Sequence, residues 1–342
     1  MFKVVVISDG VNFKIGDFEL TFVNMKDLPK VNKFFKSEDL DSLFQNKNSE
    51  YISFLDKFFI KFCDFDIIIC DQINPFHPEW LKLKFPNTIK IYGMIDDPAC
   101  TYHRTLSELW AFDGVFYVSP GYSELYTMKE FIQAYNPKLS SYFLPHARYN
   151  NLTVDHINMV RQSFNKRTGD VLYVGAYYES KIERLIYLKQ ELGDKFNVFG
   201  YWPYNGFRGL LRAFELKRPF PHRVKSVTES DKFKLFMQHK ICFNMNWNEK
   251  RETGNMRMFQ APFYGMLLLC DKSAKNQHEI IFNTNEAVFY DGIEDAIEKI
   301  KYYLKNDSER IKIAENGFNR AIKDYNKDKI WIEFLNWSIN LK

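Results

Sequence analysis

The 342-residue chain contains no apolar run that approaches the length of a membrane-spanning helix. Crossing the hydrocarbon core of a bilayer takes about 20 consecutive apolar residues. The opening segment MFKVVVISDG (residues 1–10) has the pattern of a buried strand and not that of a signal peptide. We therefore expect a cytoplasmic protein without a transmembrane segment.

Cysteine is also scarce, and its spacing excludes the common cysteine-based sites. The five cysteines form no Cys-x-x-Cys pair of the kind that binds structural zinc. Three of them lie in or beside apolar runs, which is typical of buried free thiols in a reducing compartment. Internal repeats and low-complexity segments are lacking as well. What remains is an ordinary globular composition, and the length predicts roughly two domains.

The charge that is present is unevenly distributed. Residues 1–150 hold 16 Lys and Arg against 19 Asp and Glu, whereas the rest of the chain holds 31 against 24. A basic half that faces a more acidic half is typical of a protein that binds a diphosphate on one side of a cleft. The basic excess is too small to establish nucleic-acid binding.

Alternating strand and helix patterns predict an α/β fold with two Rossmann-like domains facing a cleft. Continuous apolar runs, expected for parallel strands covered on both faces, lie at residues 2–8, 66–70, 88–94, 114–118, 171–175, 197–200, 240–245 and 266–270. Helical spacing of apolar residues covers 49–62, 121–135, 181–192, 255–264, 294–305 and 308–325, the last with an interruption at Gly317. Residues 13–24 fit a hairpin.

These patterns divide the chain into four parts. Residues 1–150 form the first domain, and the polar residues 151–169, which lack a strand pattern, form a linker. Residues 170–325 form the second domain, and the aromatic segment 326–342 forms a terminal helix.

Residues 240–270 of the second domain carry the strongest functional signal. A strand, the polar loop 246–254, a short helix and a second strand make one parallel α/β unit, in which the helix is expected to stop at Gly265. Ligands of such sheets bind beyond the carboxyl ends of the strands. The positive N-terminus of the helix favours an anion there, such as a phosphate.

This stretch resembles the acid-loop-helix element of the GT-B glycosyltransferases. Glu252 and Gln260 stand eight residues apart with Arg257 between them, and a small–Pro–aromatic–Gly run follows. The closer form of the pattern belongs to the spore-maturation CgeB-like branch, and its positions are matched here by Arg257, Phe259, Gln260, Ala261 and Gly265. The family usually has an acid where this chain has Gln260, whose amide oxygen accepts hydrogen bonds without a charge.

The resemblance implies a nucleotide-diphosphate sugar as donor, and neither a bound metal nor a cofactor. It implies that Arg257 and Arg184 contact the diphosphate and that Gln260 lies near the ribose. The other residues predicted to bind the donor follow strands or belong to the acid-loop-helix element, namely Gly10, Gly175, Asn246 and Glu252. In the family a last helix commonly crosses back onto the first domain, and we expect this of residues 326–342.

A catalytic base is expected in the first domain, after the strand 88–94. Asp96 and Asp97 follow that strand directly, and the CgeB-like branch carries a similar Asp-Asp-Pro. Asp97 is the best candidate, Asp96 is its neighbour and rival, and His103 is the alternative. Either acid could instead cap the helix that follows. If the reaction retains configuration, Asp97 only orients the acceptor.

The acceptor cannot be read from the motifs. Residues 207–225 hold six Lys or Arg and one Glu, which fits a solvated helix or a surface for an anionic acceptor such as a lipid-linked substrate, a glycan or DNA. The leading prediction is a glycosyltransferase acting on a glycan, protein or other acceptor hydroxyl. A phage-type transferase for modified DNA bases, a nucleotide-sugar epimerase and a catalytically degenerate binding module remain alternatives.

Overall fold

The computed structural model describes residues 1–24, 26, 28, 37–71, 74–148, 150–176, 178–200, 211, 224–246 and 251–341, with only the backbone described at 37–39, 103, 179 and 229. These residues form two compact units. The first comprises residues 1–145 together with 328–342, and the second comprises residues 146–327.

The first unit is built on a sheet with the strand order β2-β3-β1-β4-β5-β6-β7. Only β2 runs antiparallel, forming with β3 the hairpin expected over residues 13–24. The strands are β1 (Phe2–Ile7), β2 (Phe13–Ile15), β3 (Phe18–Val23), β4 (Ile67–Cys70), β5 (Ile89–Met94), β6 (Gly114–Tyr117) and β7 (Ser140–Phe143). The central strands β4, β5 and β6 are buried along their whole length, as their continuous apolar runs predict.

Helices cover this sheet, and their boundaries follow capping chemistry. They are α1 (Ser37–Gln45), α2 (Ser49–Phe62), α3 (Pro78–Lys84), α4 (Leu106–Glu108), which continues a π-helical segment over Thr101–Thr105, and α5 (Met128–Tyr135). The helix predicted from residue 121 begins only at Met128. The reason is local, because the Thr127 hydroxyl accepts from the Glu130 N–H and the Glu130 carboxylate accepts from the Thr127 N–H, a capping box that fixes the start.

The second unit contains a parallel sheet with the strand order β12-β11-β10-β8-β9. Its strands are β8 (Gly169–Val174), β9 (Phe196–Phe199), β10 (His239–Asn244), β11 (Leu267–Asp271) and β12 (Val288–Tyr290). Strand β10 lies between β8 and β11, so the two predicted half-units of this domain pair directly with each other.

The helices of the second unit are α6 (Val154–Ser163), α7 (Glu179–Leu192), α8 (Glu229–Gln238), α9 (Met256–Phe263), α10 (His278–Ile281), α11 (Ile293–Lys305) and α12 (Asp307–Asp324). Helix α6 lies within residues 151–169, which the sequence pattern assigns to a linker. Helix α12 runs through Gly317 without a break. A Cβ at Gly317 would lie 2.5 Å from the Glu286 carbonyl oxygen, so glycine is required there for close packing and not for an interruption.

Helix α13 (Lys327–Ser338) is followed by a 3-10 segment over Ile339–Leu341, and most of α13 belongs to the first unit. Trp331 packs edge-on against Phe13 and Phe22, and Phe334 contacts the rings of Phe116 and Tyr142. Within the described part of the chain, every helix is too short or too polar to cross a membrane.

Candidate functional site

Three neighbouring strands of the second unit end at the same edge of the sheet. Strand β8 ends at Val174, β10 at Asn244 and β11 at Asp271, and all three run in parallel. Side chains that follow these strands therefore lie close together, at the edge where α/β sheets of this kind bind ligands.

Arg257 in helix α9 is held against two of these strand ends. Its Nη1 donates to the Val174 carbonyl oxygen (2.6 Å), its Nη2 to the Met245 carbonyl oxygen (3.0 Å) and its Nε to Asn244 Oδ1 (3.0 Å). Its Cζ atom also lies 4.6 Å from the centre of the Tyr173 ring. The guanidinium thus joins β8 to β10, and two of its five N–H groups keep no partner among the described residues.

The position of the Arg257 guanidinium explains why residue 175 is a glycine. A Cβ there would lie 2.3 Å from Arg257 Nη1 and 2.7 Å from the Tyr173 hydroxyl, so any side chain would displace the guanidinium. The backbone N–H of Gly175 continues the sheet by donating to the Phe199 carbonyl oxygen. Glycine at this position is therefore required by the arginine that packs on it.

Lys181 is one residue of this site that the motifs miss, as are Asp271 and Asn255. It is buried in the first turn of helix α7, and its Nζ donates to the Met245 carbonyl oxygen (3.1 Å). Burial, together with the positive charges of Arg257 and Arg184, lowers the pKa of Lys181 to about 8, against the opposing charges of Glu252 and Asp271. Because Lys181 precedes Arg184 by three residues, the two lie on one helical face, which is the signal that would have found it.

Asp271 and two asparagines link the strand ends to helix α9. The Asn246 N–H and side-chain amide both donate to the Asp271 carboxylate, at 3.0 to 3.2 Å. The Asn255 amide donates to Asn246 Oδ1 (2.7 Å), and the Asn255 side chain caps α9 by accepting from the Met258 N–H. Burial raises the pKa of Asp271 to about 7. Asn246, predicted as a contact for the donor, is itself buried and engaged in this network.

The remaining predicted residues of this unit flank that network. Arg184 and Glu252 are half-buried, and their charges act on Lys181. Gln260 is half-buried on helix α9, and its side chain makes no hydrogen bond within the described ranges. The roles assigned to these residues in donor binding stay predictions.

Gly10 lies in the other unit, at the carboxyl end of β1. Its N–H donates to Asn24 Oδ1 (2.8 Å), and a Cβ there would lie 2.2 Å from the Phe22 ring. Close packing against that ring requires the glycine, whatever its role toward a ligand.

The acids that follow β5 have different environments. Asp97 is buried, and its carboxylate accepts from the hydroxyls of Thr101 and Thr105, so it anchors the helical segment that follows. Burial raises the pKa of Asp97, with a smaller contribution from the charge of Asp96, while the two threonine hydrogen bonds lower it. This is the capping arrangement that the sequence leaves open as an alternative to catalysis.

Asp96 is the more accessible of the two carboxylates. Its side chain is 42% exposed and lies 3.5 Å from Arg104 Nη1. The side chain of His103, the alternative base, lies outside the described residues, as does nearly all of the basic stretch 207–225. Among the side chains that are described, no group of three His, Cys, Asp or Glu could hold a metal ion.

Comparisons with known proteins bear on the family and the fold. Residues 181–336 match the model of the family described as Glycosyl transferase-like. No curated protein sequence matches the chain. Several solved structures match over nearly the full length at low sequence identity, as expected for a shared fold.

Three of these structures are informative. HepE from Anabaena in complex with UDP-glucose has a TM-score of 0.61 and 12% identity, and covers 98% of this chain and 99% of its own. Sucrose-phosphate synthase from Thermosynechococcus elongatus has a TM-score of 0.57 and 10% identity, over 99% of this chain and 88% of its own. The α,α-trehalose 6-phosphate synthase from Burkholderia multivorans has a TM-score of 0.58 and 10% identity, and covers 100% of this chain and 97% of its own. The predicted α/β fold of two Rossmann-like units, of the GT-B class, is confirmed.

Proposed function

We propose that the protein is a glycosyltransferase that takes its sugar from a nucleotide-diphosphate donor bound at the strand edge of the second unit. The observation that carries this proposal is the group of three cationic side chains, Lys181, Arg184 and Arg257, around the ends of β8 and β10. A diphosphate is the ligand whose charge would offset theirs.

Each cation has a distinct role in this proposal. Lys181 presents an ammonium that is mostly protonated at neutral pH, because its pKa is about 8. Arg257 presents the two N–H groups that the strand ends do not use. Together with the N-terminus of helix α9, they would stabilise the negative charge that develops on the leaving diphosphate.

The resemblance and the comparisons support a uridine nucleotide as the first donor to test, since HepE binds UDP-glucose in its solved structure. Placement of the ribose near Gln260, independence of metal, a cytoplasmic location and membership of the CgeB-like branch belong to the same proposal. The acceptor hydroxyl, on a glycan, protein or other molecule, is left open.

For a reaction that inverts configuration, we propose a base among the acids after β5. Asp97 remains the first candidate because burial raises its pKa, which makes its carboxylate a stronger base than an exposed aspartate. Asp96 is the rival because its carboxylate is accessible. Replacing Asp97 by Asn also weakens the anchoring of Thr101 and Thr105, so its effect on kcat has to be compared with its effect on stability.

The donor assignment is tested by titrating UDP, GDP and dTDP calorimetrically into matched lysine variants. Loss of one charge-assisted hydrogen bond costs about 1.5–3 kcal/mol, so Lys181→Met should weaken nucleotide binding about 10- to 150-fold. Lys189→Met is the matched control, because Lys189 lies on the same helix and its Nζ also donates to a backbone carbonyl oxygen, that of Phe196. Equal affinity in both variants, or no nucleotide binding by the wild type, would refute the assignment.

Catalysis is tested separately by following donor turnover with glycans, peptides and DNA as acceptors. A glycosyltransferase should release nucleotide diphosphate faster when its acceptor is present. Nucleotide binding without turnover in any of these mixtures would instead identify a binding module.

A further inference from the structure

The first unit contains a cavity of about 360 Å³ that is separate from the strand ends described above. It lies between helix α1, the start of α3 and the segment 107–110, and its polar lining residues are Asp41, Gln45, His77, Glu79, Ser107 and Glu108. This volume is within the range of small-molecule sites.

Glu108 forms a buried wall of the cavity. It is 2% exposed, and its Oε2 accepts a hydrogen bond from the Asn74 amide (2.9 Å). Burial raises the pKa of Glu108 to about 7. A carboxyl group held in this way offers a fixed polar contact to a neutral partner.

His77 contributes an aromatic ring to the cavity lining. The side chain is 7% exposed, stacks on Phe44 with ring centres 4.2 Å apart, and places Nε2 3.3 Å from Asp41 Oδ1. Its Nδ1 is buried and has no hydrogen-bond partner within the described ranges. Because this atom is closed to solvent, what His77 offers a ligand is a ring held in place by its stack on Phe44 and its contact with Asp41.

Trp110 provides an aromatic surface at the mouth. Its side chain is half-exposed, and Lys82 holds it by donating to the Trp110 carbonyl oxygen (3.3 Å) with Nζ 5.4 Å from the ring centre. An indole held in place presents a large apolar face with little loss of conformational entropy on binding. The C–H face of a pyranose ring is a matching surface.

We propose that this cavity binds a saccharide, specifically a neutral or amino sugar. Hydroxyl groups both donate and accept, which matches a lining of carboxyls, the Gln45 amide and the Ser107 hydroxyl. A simple cation could not satisfy the amide donors, and an anionic sugar would face Asp41, Glu79 and Glu108 with no Lys or Arg among the described lining residues, since Lys82 lies beside Trp110 and outside the lining. Every residue involved lies in the first unit, so the inference does not depend on the proposed donor site.

The test is saturation-transfer NMR on the full chain with three methyl glycosides, those of glucose, glucosamine and glucuronic acid. Saturation should reach the glucoside or the glucosaminide, and not the glucuronide. Trp110→Ala should abolish the transfer, whereas Tyr126→Ala should not, since Tyr126 is an aromatic residue of the same unit with 49% exposure against 50% for Trp110. Ser107→Trp, at an exposed position on the lining, should block the cavity and serves if Trp110→Ala fails to fold.

Transfer to none of the three glycosides, or transfer unchanged in the folded Trp110→Ala or Ser107→Trp protein, would overturn the inference. Preferential transfer to the glucuronide would show that the acidic lining does not exclude an anionic sugar, and would therefore overturn the proposal. Repeating the measurement with saturating UDP separates the two proposals. Nucleotide binding without sugar binding refutes only this cavity, and sugar binding without nucleotide binding refutes only the donor site.

Discussion

Burial gives Asp271 and Lys181 opposite responses to pH at the strand edge of the second unit. The pKa of Asp271 is raised from 3.8 to about 7, so folding favours the neutral acid, and the stability it contributes is full below pH 3.8 and is lost as the pH rises to 7. The pKa of Lys181 is lowered from 10.5 to about 8, so folding favours the neutral amine and stability recovers between pH 8 and 10.5. Of these two residues, Asp271 is the one whose contribution to the free energy of unfolding changes between pH 5 and 7.5.

We therefore expect Asp271→Asn to gain stability relative to the wild type as the pH rises from 5 to 7.5. The amide side chain of the variant cannot ionise, so the variant avoids the cost of burying a charged carboxylate. One pKa unit corresponds to about 1.4 kcal/mol, so the gain in unfolding free energy should be at least about 1 kcal/mol. Urea unfolding at the two pH values measures it. Asp170→Asn is the control, because the Asp170 ion pair with Lys240 is partly exposed and should contribute little. A stability difference between Asp271→Asn and the wild type that does not vary with pH would contradict the expectation.

Arg167 is another buried charged residue of the second unit, and it bonds to segments that are distant in sequence. Its guanidinium donates to the carbonyl oxygens of Phe236 and His239 and of Tyr264, at 2.6 to 2.7 Å. Arg167→Met leaves these three oxygens without their donor, so we expect a loss of at least about 3 kcal/mol, because each buried acceptor left unsatisfied costs about 1–3 kcal/mol. Urea unfolding of Arg161→Met, an exposed arginine on helix α6, gives the control value, and equal losses in both variants would disprove the role.

At the scale of elements, the end of helix α9 depends on a glycine for two reasons. Gly265 has φ +69°, and a Cβ there would lie 2.6 Å from Val160 Cγ1. Gly193 ends helix α7 with φ +58° and open space around it. Gly193→Ala should therefore cost only a backbone term, about 1–3 kcal/mol for a residue at φ +58° and ψ −130°, whereas Gly265→Ala should carry its own backbone term and about 1–3 kcal/mol more for the overlap. Thermal unfolding of the two variants measures the difference, and matching melting temperatures would rule out the steric part.

Elements with a periodic apolar face were predictable, and elements fixed by distant contacts were not. The spacing of Tyr51, Leu55, Phe58 and Phe62 gives α2 directly, and these residues form its buried face. Helix α6 has few apolar positions and is held by contacts such as that of His156 Nε2 with the Phe263 carbonyl oxygen (2.8 Å), 107 residues away. Its local signal is confined to the Thr153 cap, whose hydroxyl accepts from the His156 N–H, and such a cap does not by itself predict a helix.

The candidate site divides in the same way. Strand ends, the loop 246–254 and the cation on helix α9 follow from sequence pattern, because parallel strands place their carboxyl ends together. That Arg257 would bind the Val174 carbonyl oxygen, 83 residues away, depends on β8 lying next to β10, which no motif specifies. For Asp97, the threonines four and eight residues later were a visible capping signal.

At the scale of the whole molecule, the first unit is built from two separate chain segments, residues 1–145 and 328–342. Helix α13 buries Trp331 and Phe334 against the first sheet, although some 180 residues of the second unit, 146–327, separate it from that sheet in sequence. Stability of the first unit thus depends on its two distant chain segments, whereas the second unit is continuous. Local opening should reflect this division.

Trp331→Ala is expected to loosen the first unit and leave the second unchanged. Truncating a buried tryptophan costs about 3–5 kcal/mol, and Trp331, which is 3% exposed, contacts Phe13 and Phe22 of the first sheet. Hydrogen exchange followed by mass spectrometry should show faster exchange in β1 and β3, with β8 and β10 at wild-type rates. Ile332→Ala changes the next residue of the same helix, which is 38% exposed, and should alter neither unit. Faster exchange in β8 and β10 as well would mean that the two units unfold together, because the loss of a contact confined to the first unit would then have reached the second.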